Sequence, residues 1–575
     1  MKSTSKLLVL VLALLMVGAL TVVAQDTPAP GEGGILIEGN FGGDPATFNP
    51  ILASDTASTR ITSFLFPGFI GVDPATANFS KEDPAAIVND WTISEDGLTY
   101  TFSLRDDYFW SDGTQITSAD VLYTWNAIVA GGEGIVDTPL TYVLDSIESV
   151  EAPDAQTVVV KFTSADCTAL NYAGALYPVP SHVLPADYAE LNDAPFNIAP
   201  DVTGGVFSFG EFRSAEQVGL VANQNYSGAT NGVVLPTGFI YKVVPDQTVL
   251  VEQFIAGETN VIDGPAVNRR DDLLANSNLN MYNFPGNAWD YLALNYADPT
   301  NPQNAFDENG NPIDQGHHPL FGDVRVRQAM AKAINVDEII QGAVFGHGER
   351  MTSMIIPASW AYHKELPPIA YDPEAAKAML DEAGFVDDDG NPDTPRVCQG
   401  CLYAEEGTPF RFVLYTNEGN TRRGAVGTIV QDQLKQIGIE VDFQAIDFNT
   451  LLDIMDAQTF DAFILGWRNG YPDDPDLTQI LTPVSDIVGS GSNNTSYNNP
   501  RMVELNAKAK SLPGCDPVER TALYHEIQEI MQQDLPYIPL YVINGMYGAN
   551  ASVMGFDPYP SQLYWNVDTW YLATP

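Results

Sequence analysis

At 575 residues the chain is too long for one hydrophobic core, so two or more domains are expected. Acidic residues outnumber basic ones 74 to 26, a formal net charge of -48, with 45% of residues hydrophobic and 17% charged. That balance describes a globular chain, and it excludes a nucleic-acid binder, whose phosphates need a basic face, and a protein drawn to anionic lipid.

The amino terminus reads as an export signal. Lys2 and Lys6 supply the positive start, Leu7 to Val23 the apolar run, and Val22-Val23-Ala24 a small-residue cleavage site, so cleavage is expected after Ala24. No cysteine stands near that site for lipid attachment, and the mature chain is expected to be soluble in the periplasm or at the cell surface. Cys167, Cys398, Cys401 and Cys515 in an exported chain point to disulfides, with three pairings open. The pair Cys398 and Cys401 has the spacing of a redox dithiol or half a zinc site. It lacks a second such pair or nearby histidines and reads as a structural bond.

Ile35-Leu36-Ile37 is a first strand that runs into a glycine-rich turn, where Asn40 is a candidate ligand contact. The turn lacks the lysine and spacing of a phosphate loop. Further on, Leu98, Tyr100, Phe102 and Leu104 alternate with polar residues, which predicts a half-buried strand. Thr117 or Ser118 then caps a helix with Val121, Leu122, Trp125, Ile128 and Val129 on one face, stopped by Gly131-Gly132.

The segment DWTISEDGLTYTFSLRDDYFWSDGTQITSADVLYTW, Asp90 to Trp125, resembles the signature of extracellular solute-binding protein family 5. These are the large oligopeptide- and dipeptide-binding receptors of bacterial ABC importers. The resemblance continues through Thr203–Phe212, through Tyr291–Asn295 as a strand crossing between lobes, and through Asp323–Asn335 as a helix. It implies an α/β, two-lobed periplasmic binding protein fold (type II, large cluster with an extra small domain). Lobe I would comprise 25–288 with 536–575, including the extra domain at about 67–202, and lobe II 289–535. In such proteins the signature belongs to the extra domain, so Trp91, Trp110 and Trp125 are expected in its core. The implied function is capture of a small solute between the lobes by a monomer without a cofactor, and delivery to a membrane permease.

The second half also reads well physically. Asp323 caps a helix, and so does Asp372, followed by Pro373. Phe410, Phe412 and Leu414 alternate as a strand; Ala425 to Ile437 form a helix closed by Gly438; Ile439, Val441 and Phe443 alternate again. A short helix near 450–456 and the run Phe463–Leu465 complete a βαβαβ order, which predicts parallel strands. After that run the chain is expected to break at Gly466 into a loop. Trp467, Arg468, Asn469, Gly470 and Tyr471 on this loop are the main candidate ligand contacts, since ligands of open α/β sheets lie beyond the carboxyl ends of strands.

By the resemblance, peptide receptors carry an aspartate soon after the tryptophan to pair with the peptide's amino terminus. Gly470 falls at that place, which leaves two alternatives: Asp473 or Asp474 swings in as a substitute, or the amine anchor is absent. An oligosaccharide stacking on Trp467 and Tyr471 is the alternative ligand. A secreted hydrolase is the alternative of a different class, but no G-x-S-x-G elbow is present and Glu529 stands where a zinc protease helix needs its second histidine. His317-His318 is expected in an exposed loop. Asp387, Asp389 and Asp393 are calcium candidates, with a plain acidic turn as the simpler reading.

Overall fold

The computed structural model describes residues 27–41, 43–230, 232–391 and 394–573; the expected export signal and Asp393 lie outside them. Its spine is one eleven-stranded sheet. In chain order the strands are Ile35–Phe41 (β1), Phe207–Arg213 (β2), Gln217–Ala222 (β3), Gly238–Val244 (β4), Val261–Asp263 (β5) and Leu279–Leu294 (β6). Then come Gly348–Arg350 (β7), Arg411–Asn417 (β8), Glu440–Ile446 (β9), Ala462–Arg468 (β10) and Tyr537–Asn550 (β11). Their spatial order is β9-β8-β10-β6-β11-β5-β1-β4-β3-β2, with β7 pairing β11.

The two long strands, β6 and β11, form the middle of this row. They pair antiparallel from Leu279 opposite Asn550 to Ala293 opposite Tyr537, with register shifts between Phe284 and Ala288 and between Asp290 and Tyr291. On one side β11 meets β5, which pairs parallel with β1; on the other, β6 meets β10. β8 lies parallel to both β9 and β10, as the βαβαβ order predicts.

Three large cores follow from this layout. One spans residues Leu36 to Tyr241 and returns at Val553 to Trp570. It includes the antiparallel sheet of Val88–Ile93, Thr99–Leu104, Ile147–Asp154 and Thr157–Phe162, where Tyr100, Phe102 and Leu104 point inward. The other two cover opposite faces of β6 and β10: Leu292, Leu294 and Ile464 face one, and Tyr291, Ala293, Phe463 and Leu465 the other. A strand buried on both faces reads as a continuous apolar run, which is why Phe463–Leu465 carries no alternation.

The helix Ser118–Gly132 forms where its cap predicts, with the Thr117 N–H donating to Asp120. Val129 turns outward instead of inward, and Tyr123, Thr124 and Ala127 take up burial. Trp110 and Trp125 are buried; Trp91 is only half-buried, with the Lys81 ammonium over its ring. His318 is not on an exposed loop: it is buried, lies 3.1 Å from Asp461, and accepts the Leu320 and Phe321 N–H groups. The cysteines pair as Cys167–Cys515 and Cys398–Cys401.

The expected break at Gly466 does not occur. β10 continues through Trp467 and Arg468, which pair with Trp289 and Ala288 of β6. The glycine is there for close approach: a Cβ at this position would stand 2.4 Å from both the Trp289 carbonyl and Asp290 Oδ1. Gly466→Ala should therefore cost roughly 1–3 kcal/mol of stability through overpacking, read as a lower urea midpoint. An unchanged midpoint would show that β10 can shift away from β6 at no cost.

Candidate functional site

Past Arg468 the chain turns, and Asn469 clamps that turn onto β6. Its N–H donates to the Asn287 carbonyl at 2.9 Å, and Asn287 Nδ2 returns a bond to its carbonyl at 2.6 Å. Its side-chain oxygen accepts from Trp289 Nε1 at 3.0 Å, and its Nδ2 donates to Asp473 Oδ1 at 2.8 Å. Asn469 is thus bonded inside the protein at both ends of its amide and acts by holding the loop. Asp473 is held behind the loop by the same bond.

Two cavities flank this loop. The larger, about 1020 Å³, is lined by Trp467, Arg468, Asn469, Gly470 and Tyr471 together with segments far away in sequence. The smaller, about 780 Å³, lies against β6 and β11 and shares Arg468 and Tyr471 with the larger. All five predicted loop residues therefore reach one cavity. Asn40 lines neither; it bonds Glu38 on its own strand, and its neighbour Phe41 lines the smaller cavity. Alternation along β1 sends the two side chains to opposite faces. The Tyr471 hydroxyl stands buried without a protein partner where the two cavities meet.

The cavities differ in charge. Asp145, Asp166, Asp474 and Asp476 line the larger, against Lys510 and Arg468. Burial and the neighbouring Asp476 push Asp474 up to about 7, with Arg520 opposing. Asp476, despite its burial, is held below the usual carboxylate range by Lys510 at 3.0 Å and by Thr478 and Asn506.

In a chain with 26 basic residues, four arginines line the smaller cavity, Arg60, Arg270, Arg422 and Arg468, against two acids, Asp263 and Glu418. Arg60 is bound by Glu38 at 3.1 Å and Asp263 at 2.7 Å. Arg270 is buried and donates to the carbonyls of Pro265 and Asn544 rather than to a carboxylate. Burial, then the charge of Arg422, pushes it down to about 10, so it stays protonated at neutral pH. Arg422 and Arg423 share one buried carboxylate, Asp290, at 2.9 and 3.1 Å. The residues that sequence reading missed, Asp145, Asp166, Arg60, Arg270 and Arg422, come from separate segments and carry no local motif.

The calcium candidates spend their oxygens on their own turn. Asp387 accepts the Gly390 N–H, and Asp389 accepts from the Asn391 N–H and the Thr394 hydroxyl. Among the described residues no group of three metal-ligating side chains converges.

Residues 84–487 match the family of bacterial extracellular solute-binding proteins, family 5. The chain belongs to that family. It is 28% identical over 555 residues to the oligopeptide-binding protein AppA of Bacillus subtilis, covering 95% of this chain and 92% of the relative. The solved structure of that AppA with a nonapeptide superposes with a TM-score of 0.71 at 26% identity, covering 95% of this chain and all of that one. Di/tripeptide-binding protein 1 of Pseudomonas aeruginosa is 24% identical, over 87% of each chain. NikZ of Campylobacter jejuni, solved with Ni(L-His), shares the fold with a TM-score of 0.70 at 21% identity over 93% of this chain and 99% of that one. The fold is thus the two-lobed one of periplasmic binding proteins, and the family is one of extracellular transport receptors. No helix among the described residues is long and apolar enough to cross a membrane.

Asp290→Ala would leave the Tyr541 hydroxyl and two guanidinium groups without their shared acceptor. The expected loss is roughly 3 kcal/mol, moderated by the partial exposure of both arginines, and a urea titration measures it. A variant as stable as the parent would mean that the arginines find other acceptors.

Proposed function

We propose that this protein is the binding component of an ABC importer and captures a peptide, from dipeptide to oligopeptide, for delivery to a membrane permease. One observation carries the reading: of two cavities that share Arg468 and Tyr471, one has mainly aspartates among its charged lining residues and the other mainly arginines. A free peptide has an ammonium at one end and a carboxylate at the other, and so complements both. An unpaired buried guanidinium such as Arg270 is costly, and a ligand carboxylate offsets that cost where a neutral sugar does not. Gly470 leaves the usual amine anchor empty, and Asp474 takes that role from the same loop, because it lines the acidic cavity whereas Asp473 is held behind it.

In this reading the lobes are 25–288 with 536–575 and 289–535, the extra domain spans about 67–202, and β6 and β11 are the hinges. Ligand contacts made to both lobes only in the closed form drive closure. The protein works as an exported monomer, cleaved after Ala24, and carries out no catalysis. Oligosaccharide remains the second reading because Trp467, 38% exposed, and Tyr471 present rings to the cavity.

Calorimetry with peptides, N-acetylated peptides, peptide amides and oligosaccharides tests the proposal. Free peptides should bind, and N-acetylation or amidation should weaken binding by about tenfold or more, about 1.4 kcal/mol. Binding of neutral oligosaccharides with none of peptides would overturn it. Trp467→Ala should weaken the ligand by a similar factor, and an unchanged affinity would move the site elsewhere.

A pH dependence follows as well. Below about 7 Asp474 is protonated and offers an ammonium no charge; above it, the carboxylate is ionised. Burial is the largest cause of this value, Asp476 and Asp166 raise it further and Arg520 opposes them, while Tyr524 also faces the carboxyl. Peptide affinity should therefore rise as pH increases through about 7, until the peptide's own amine, with a pKa of about 8, loses its proton. Asp474→Asn should bind weakly and abolish that rise. A rise that survives in the variant would assign it to another group.

A further inference from the structure

The Cys167–Cys515 disulfide spans 348 residues, and the segments at its two ends pack into different hydrophobic cores. Cys167 follows the strand Thr157–Phe162 and precedes Ala169 and Ala173, all of which bury into the core of Phe102 and Trp110. Cys515 lies in the single turn Pro513–Cys515 between the helices Pro500–Lys510 and Pro517–Asp534. Those helices bury Met502, Leu505, Tyr524 and Ile527 in the core of Phe463 and Tyr291.

Polar contacts reinforce the junction. The Cys167 N–H donates to the Lys510 carbonyl at 2.8 Å, and Lys510 Nζ reaches Asp166 at 3.5 Å and Asp476 at 3.0 Å. Asp166, Asp476 and Lys510 all line the larger cavity, so the bond lies at its rim.

We propose that Cys167–Cys515 is an interlobe strap that limits how the ligand cleft opens. With the division proposed above, the backbone crosses between lobes only within β6 and just before β11, and the disulfide adds a third connection beside the lining residues Asp166, Asp476 and Lys510 of the larger cavity. The Cα atoms of the pair stand 5.5 Å apart, and disulfides confine this separation to about 4.4–6.8 Å. The rim can then part by only about 1 Å. Two bodies fastened at two places keep one rigid rotation, the swing about the line joining them. The strap thereby removes the widely open states and keeps the walls of the larger cavity close to their ligand-bound spacing, which lowers the cost of closure. The inference takes the lobe division from the proposed function but needs no ligand, so a failed peptide screen leaves it standing.

Small-angle X-ray scattering of the ligand-free protein tests it. A compact chain of this length has a radius of gyration of about 24–25 Å. The Cys167→Ser/Cys515→Ser variant should be larger than the parent by roughly 1 Å, as a freely hinged pair of lobes requires. Cys398→Ser/Cys401→Ser, whose bond closes a local loop, should match the parent. If the first variant does not fold by circular dichroism, the folded Cys398→Ser/Cys401→Ser variant, which keeps the strap as its one disulfide, is reduced with dithiothreitol instead. The reductant gives two electrons and two protons to the bond and becomes a cyclic disulfide, and iodoacetamide then blocks the two thiols. A blocked protein that stays folded should show the same expansion. Equal radii with and without the strap would overturn the proposal and reduce the bond to a stabiliser of the fold.

Discussion

The position of the loop that follows Arg468 depends on one buried carboxylate. Asp290 stands in the middle of β6, 1% exposed, where an uncompensated charge would be prohibitive. It is compensated from three directions: by Arg422 and Arg423 at the start of the helix Thr421–Lys435, and by the Tyr541 hydroxyl of β11 at 2.8 Å. The same carboxylate crowds β10, which meets it with Gly466 because nothing larger fits. That close approach keeps β10 paired with β6 as far as Arg468, and the turn beyond is then fastened by Asn287, Trp289 and Asn469. One acid thus joins both crossing strands, seats an arginine at the smaller cavity and carries Trp467 to the larger one.

The overall charge conceals this arrangement. A net charge of -48 suggests a uniformly acidic molecule, yet the interior of the cleft is sorted by sign. The basic side is held by carboxylates that pair with Arg60 and Arg422, while Arg270 donates only to the carbonyls of Pro265 and Asn544. The acidic side is stable because Lys510 sits between Asp166 and Asp476, while Asp474 avoids its charge by retaining a proton up to about 7. Both ends are thus poised for an opposite charge from outside, and Tyr471 stands between them.

Much of the fold was legible because its signals are local. Helix starts after Thr117, Asp323 and Asp372 are kept by the structure, since Asp323 and Asp372 accept backbone N–H groups two and three residues on and the Thr117 N–H donates to Asp120, none needing a distant partner. The alternation at Thr99–Leu104 was readable from its period, and the apolar run at β10 from its shortness. What failed was decided over long range. Gly466 looked like a terminator because glycine breaks strands, but the close approach of β6 was invisible from the neighbouring sequence. His318 looked exposed because polar pairs usually are; its burial rests on Asp461, 143 residues away. The cavity was legible only in the loop, for its other walls come from segments hundreds of residues apart.

The cysteines show how such long-range information acquires physical meaning. An intervening 348 residues give no hint that Cys167 and Cys515 meet, and a bond closing so large a loop removes much entropy from the unfolded chain. Stabilisation by loop closure is, however, indifferent to where on the native surface the bond lies. The bond here joins two cores at the rim of a cavity, beside a lysine that already bridges an aspartate from each side. The covalent and ionic links act at the same junction, so the lysine's electrostatic attraction is strengthened by a fixed geometry. A binding protein must hold its lobes apart enough to admit a ligand and near enough that closing costs little. Fastening one rim while leaving the crossing strands free to twist meets both demands without any change in the residues that touch the ligand.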